Sequence, residues 1–90
     1  MKFVRDLKRR AITVVFEDSF SLRDSIGIPR LVRRLGGWRE VALDFSQVRW
    51  MRESALVALI PALASIHRRV TVLGLESFQL ESRALVPIAA

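Results

Sequence analysis

Alternating and β-branched segments along the chain predict four strands. A weak alternation of apolar and polar residues runs over Lys2–Lys8, and a β-branched run covers Ala11–Phe16. Glu40–Phe45 is short and largely apolar, as expected for a strand covered on both faces. Val70–Leu75 is a second β-branched run. Each of these four segments is therefore expected to pair within a sheet.

Three other segments show helical spacing. The first is Ile26–Leu35, in which Pro29 is expected to lie close to the helix start, where a missing N–H group does no harm. The longest is Ser54–Arg69, and the last is Glu76–Ala84. The apolar residues of the first segment fall on one helical face at Ile28, Leu31, Val32 and Leu35.

The resulting element order is β-β-α-β-α-β-α. Strands that alternate with helices favour parallel pairing through crossover helices. The sequence therefore predicts an α/β fold: a small, mixed but mostly parallel sheet of about four strands with helices packed on it. The 90 residues contain no linker or repeat, so we expect one domain over residues 1–90.

The residues that most often carry catalysis are scarce. The chain has no cysteine and one histidine, His67, so it lacks metal-ligand spacing and a cysteine nucleophile. On one helix, Ser54 and His67 would lie about 20 Å apart, too far for a hydrogen bond. No glycine-rich phosphate loop occurs. We therefore predict a protein that is not an enzyme and uses no cofactor or metal.

Basic residues are concentrated in the first part of the chain. The net charge is +6, and residues 1–39 hold ten basic and four acidic side chains. Arg30, Arg33 and Arg34 form a candidate basic patch on the first predicted helix. Such a patch favours an acidic partner, which could be a nucleic acid, an anionic surface or a protein. No nucleic-acid recognition motif is present, so a nucleic acid is the less favoured of these.

No segment has the pattern of a membrane span or a secretory signal. The longest apolar run, Ala55–Ile66, has 12 residues, whereas a span needs about 20. The basic start of the chain lacks the apolar region of a signal peptide. We therefore expect a cytoplasmic protein without a membrane span.

The stretch between the third strand and the second long helix carries the most specific pattern. An apolar strand ends near Asp44, a loop carries Trp50 and Met51, and Ser54 is placed to cap the following helix. A phosphoryl group on Ser54 would meet the positive end of the helix dipole, and Arg52 could pair with it.

This stretch resembles the signature of STAS domains, the family of anti-sigma factor antagonists. The matching residues run from Leu43-Asp44-Phe45-Ser46 to Val48-Arg49-Trp50-Met51-Arg52-Glu53-Ser54-Ala55-Leu56. The resemblance implies that Ser54 is the phosphorylated residue. Arg52, Glu53 and Ala55 stand where the family usually has Asp, Ser and Gly. Arg52 therefore places a positive charge where the family's partner kinase recognises a negative one.

The resemblance implies a non-catalytic interaction module that binds an anti-sigma kinase and is switched by serine phosphorylation. The residues expected to contact the partner are Trp50, Met51, Arg52, Glu53 and Ala55. A STAS subunit of a lipid-transport ABC system is an alternative, and a basic nucleic-acid- or anionic-surface-binding domain is another. The segment Ala84–Ala90 is mostly apolar, so a second subunit could cover it, and a homodimer is a further alternative.

Overall fold

The computed structural model describes residues 1–75, 78–81 and 84–87, the last two ranges as backbone only. Its elements follow in chain order. They are β1 (Lys2–Asp6), β2 (Ala11–Phe20), α1 (Leu22–Arg34), β3 (Glu40–Arg52), α2 (Glu53–Ala64), β4 (Thr71–Leu73), β5 (Phe78–Glu81) and β6 (Ala84–Pro87). The chain therefore has the α/β fold that the sequence predicts, with two helices in the described part.

The sheet is mixed rather than mostly parallel. β2 and β4 lie on either side of the first half of β3 and run parallel to it. β1 runs antiparallel along the outer side of β2. β6 pairs antiparallel with the end of β3, and β5 pairs antiparallel with β6. Three of the five described pairings are thus antiparallel, which corrects the prediction.

α1 begins at Leu22, four residues earlier than the sequence predicts. A capping box starts it: the N–H of Asp24 donates to Ser21 Oγ at 3.2 Å, and the N–H of Ser21 donates to Asp24 Oδ2 at 2.8 Å. Pro29 consequently lies inside the helix instead of near its start. Because Pro29 has no N–H, the carbonyl of Ser25 loses its usual helical partner.

α2 ends at Ala64, earlier than the predicted end at Arg69. Ser65 caps it, and its hydroxyl donates to the carbonyl of Ala62 at 2.8 Å. His67 and Arg69 therefore lie in the connection to β4 rather than on the helix.

The predicted third helix over Glu76–Ala84 is wrong, because Phe78–Glu81 and Ala84–Pro87 form an antiparallel pair of strands. Phe78–Glu81 alternates apolar and polar residues, which is the period of a strand. The predicted apolar contact surface at Ala84–Ala90 includes residues 88–90, and it lies outside the described side chains.

The core lies between the helices and one face of the sheet. Three phenylalanine rings, those of Phe16, Phe20 and Phe45, meet there with 5.0 Å between each pair of ring centroids. The buried Ser25 hydroxyl donates to the carbonyl of Ala55 at 2.6 Å and ties α1 to α2. The other buried residues of this core cluster are Ile12, Val14, Ile28, Val32, Val41, Leu43, Val48, Met51, Ala55 and Leu59.

The opposite face of the sheet carries no helix among the described residues. The strand registers align Val4, Thr13, Ala42 and Thr71 in one row on that face. Their side chains are small or only partly covered. The structure is therefore a two-layer fold with one sheet face exposed.

Gly74, directly after β4, is required by the close approach of β4 to β3. Its φ is +87°, a conformation that side chains disfavour, and a Cβ atom at this position would lie 2.5 Å from the backbone nitrogen of Ser46. Gly27, on the exposed side of α1, has nothing within 4 Å of the corresponding position.

We expect Gly74→Ala to lower the free energy of unfolding by about 1–3 kcal/mol, because of backbone strain and steric contact. Gly27→Ala is the matched control and should raise it by about 0.5–1 kcal/mol, since alanine favours a helix. Urea unfolding of the two variants measures both values. Equal effects would contradict the close contact between Gly74 and Ser46.

Candidate protein-interaction site

β3 runs without interruption into α2. The predicted loop that carries Trp50 and Met51 is wrong, because β3 continues to Arg52 and α2 begins at Glu53. The register against β2 shifts twice, between Val15 and Glu17 and between Asp18 and Ser19. Each shift adds one residue to β3, which is the geometry of a β-bulge.

The two bulges change which residues of β3 face the core. Up to Phe45 every second residue is buried, but the next buried residues are Val48 and Met51, three apart. Because each bulge inserts one residue into β3, the side chains of Ser46 and Trp50 face solvent. One large aromatic side chain of β3, that of Trp50, is therefore exposed just before α2 begins.

Of the residues predicted to contact a partner, Trp50, Arg52 and Glu53 are exposed. The Trp50 side chain is 40% exposed, and the guanidinium carbon of Arg52 lies 5.1 Å from its ring centroid. This is cation–π geometry, which holds the two side chains together at the surface.

The other two predicted contact residues, Met51 and Ala55, are fully buried, unlike the first three. Met51 lies on the core side of β3, and the carbonyl of Ala55 accepts the Ser25 hydroxyl at the α1–α2 contact. Their side chains pack in the core beneath the exposed residues and are not accessible at the surface.

Ser54 is exposed in the first turn of α2, but it is not the N-cap. The N-cap is Arg52, with extended backbone at φ −71° and ψ 153°, and its side chain makes no capping hydrogen bond at this end of the helix. Ser54 is the second helical residue, so the free N–H groups of the first turn lie beside it. A surface depression of about 370 Å³ is lined here by Arg52, Glu53, Ser54 and Val57.

α2 is apolar on nearly all sides, yet the described residues cover it on one side only. Glu53 and Ser54 are its only polar residues. The Leu59 side chain is fully buried, whereas Val57 is 61% exposed and Ile60 64% exposed. We call the exposed residues Val57, Ile60, Pro61 and Ala64 the outer face of α2. Sequence reasoning missed this face because apolar residues occur all around the helix, so their pattern does not mark one exposed side.

The candidate basic patch is on the surface, as the sequence suggests. Arg30, Arg33 and Arg34 are exposed in the second half of α1. None of the three has an acidic partner within salt-bridge distance in the described part of the chain. The two arginines in the last turn also suit the negative end of the helix dipole.

The described side chains bring together no metal site. Over the described residues, no three His, Cys, Asp or Glu side chains are placed to hold an ion together. His67 is exposed. Neither helix in the described part of the chain is long and apolar enough to cross a membrane.

Comparisons of the chain with family models, with curated proteins and with solved structures found no match. The molecule is thus described by its architecture: a two-layer α/β fold whose second helix exposes an apolar outer face next to Ser54.

Charge in the first turn of α2 should change stability in a predictable direction. We expect Ser54→Asp to raise and Ser54→Lys to lower the free energy of unfolding by about 0.3–1 kcal/mol at low salt, because of the helix dipole. The measurement is urea unfolding at two ionic strengths, and high salt should remove the difference.

Ser65→Asp provides the control, because Ser65 lies at the opposite end of α2. A negative charge there should lower stability. The same sign for the aspartate variants of Ser54 and Ser65 would contradict the placement of Ser54 at the helix start.

Proposed function

We propose that this chain is a non-catalytic, STAS-like interaction module that binds a protein partner on the outer face of α2 and is switched by phosphorylation of Ser54. The observation that carries this proposal is the exposure of Val57 and Ile60 on a helix that is apolar on nearly all sides. A helix of that composition is normally buried on all sides. A partner would complete its burial.

The energetics favour a protein over a small ligand. Full burial of an exposed valine or isoleucine side chain contributes about 1.5–3 kcal/mol. Val57, Ile60, Pro61 and Ala64 lie within two turns of one helix, so one partner surface can cover all of them.

Trp50 and Arg52 would form the edge of this docking surface. Tryptophan and arginine are the residue types most enriched at binding hot spots. Their cation–π contact holds both side chains in place before a partner arrives, so less conformational entropy is lost on binding.

Phosphorylation of Ser54 would act directly on this surface. Ser54 lies three residues before Val57 and lines the same depression. A phosphoryl group would be stabilised by the free N–H groups of the first turn and by Arg52. It would also place a strongly hydrated charge against the apolar contact, and the partner would be released.

The same face would serve a STAS subunit of a lipid-transport ABC system, whose partner is an ATPase subunit. The two versions differ in the partner, not in the surface. Co-purification with an ATPase subunit favours the transport version, and phosphate incorporation by an anti-sigma kinase favours the switch version.

The docking face is tested by two exposed-residue variants. We expect Val57→Glu with Ile60→Glu to reduce partner capture from the source cells by about tenfold or more, because both side chains would be desolvated in the complex. Quantitative mass spectrometry of the captured proteins measures the loss. Val4→Glu with Leu73→Glu is the matched control: these side chains are 52% and 43% exposed, on β1 and β4. Equal loss in both double variants would contradict docking on α2.

The switch is tested with a purified anti-sigma kinase and ATP. We expect phosphate to be incorporated at Ser54 and to weaken partner capture. Ser54→Ala should abolish incorporation, and Ser46→Ala, at another exposed serine, should not. Undiminished labelling of Ser54→Ala would contradict the switch while leaving the docking face intact.

A further inference from the structure

Arginines that lie far apart in the sequence meet at one edge of the sheet. Arg9 precedes β2, Arg39 precedes β3 and Arg69 precedes β4. These three strands are parallel, so they all start at the same edge. The fold thereby collects three basic side chains that are about 30 residues apart in the chain.

Hydrogen bonds to main-chain carbonyls hold the three connections together. The carbonyl of Arg10 accepts from the N–H groups of Arg39 at 2.8 Å and Glu40 at 3.2 Å. Arg68 Nη2 donates to the carbonyls of Trp38 at 2.7 Å and Arg39 at 3.2 Å. The positions of the arginines are therefore fixed by the fold.

These arginines line a groove of about 530 Å³ on the sheet face that carries no helix in the described structure. Its volume lies within the range of ligand sites, about 300–1,000 Å³. Small side chains leave the space free: Ala11, Thr13, Ala42 and Thr71. A large side chain at any of these positions would fill it.

The charge of the groove is unbalanced. Among the described residues that line it, Glu40 is the only acidic one, and it pairs with Arg9 at 3.2 Å. Arg39 and Arg69 have no acidic partner within 4.0 Å among the described residues. Three arginines against one glutamate leave two excess positive charges.

We propose that this groove binds a small phosphate-bearing organic anion. Its phosphate would lie between Arg39 and Arg69, and its organic part would lie over the alanine and threonine side chains. Guanidinium groups donate paired hydrogen bonds to phosphate oxygens, and two excess charges match a phosphate dianion. Nucleic acid is disfavoured because none of the described residues lining the groove is aromatic, so a base would have no ring to stack on.

The test uses glycerol 3-phosphate as the soluble probe, added to the whole protein at constant ionic strength and followed by NMR titration. We expect saturable shifts at the amides of Thr13, Ala42 and Thr71. Arg39→Gln with Arg69→Gln should weaken binding by about tenfold or more, since both charge-assisted hydrogen bonds to the phosphate would be lost. Arg30→Gln with Arg33→Gln removes the same charge from α1 and should leave binding nearly unchanged.

A second variant tests the cavity without changing charge. Thr71→Phe adds bulk at an exposed strand position and should also abolish binding. Vesicles of phosphatidylcholine with phosphatidic acid carry the same phosphate on a lipid, so sedimentation with them tells whether a headgroup is the better ligand. Binding of neither probe, or equal weakening by the groove and α1 double variants, would overturn the proposal.

Discussion

Parallel pairing of β2 with β3, and of β3 with β4, obliges the chain to return twice from one edge of the sheet to the other. α1 and α2 make these returns over the same face, where they share one core and are tied by the Ser25–Ala55 hydrogen bond. Two consequences follow from this constraint. The strand starts gather at one edge, with their arginines, and the start of α2 lies at the far end of β3.

A two-layer fold also explains why α2 remains partly exposed. The sheet and α1 cover one side of it, and no third layer covers the other side in the described structure. The apolar side chains of Val57 and Ile60 therefore face solvent at a cost that a binding partner would remove. Ser54 lies at the N-terminal, positive end of the helix dipole. A phosphate there would change the electrostatic potential at this end of α2 and raise the cost of desolvating the neighbouring apolar surface.

Local sequence patterns predicted where most helices and strands begin. Where they end, and which strands pair, depends on contacts between residues far apart in the chain. Ala11–Phe16 is rich in β-branched residues and was predicted as a strand, but β3 beyond Phe45 was not, because two bulges break its period of two. Ser54 was predicted at the start of α2 and lies one residue inside it. No short sequence motif marks the arginine groove. The sequence shows only that an arginine precedes each of three strands, and these arginines can be placed together only once the strands are known to be parallel neighbours.

The central claim is that the outer face of α2 is where a protein partner binds. NMR spectra of the isotopically labelled chain, with and without its captured partner, test this most directly. We expect signals of Val57, Ile60 and the Trp50 indole to shift or broaden, while those of Val4 and Thr71 on the uncovered sheet face do not change. Perturbation of the sheet face with α2 unaffected would contradict it.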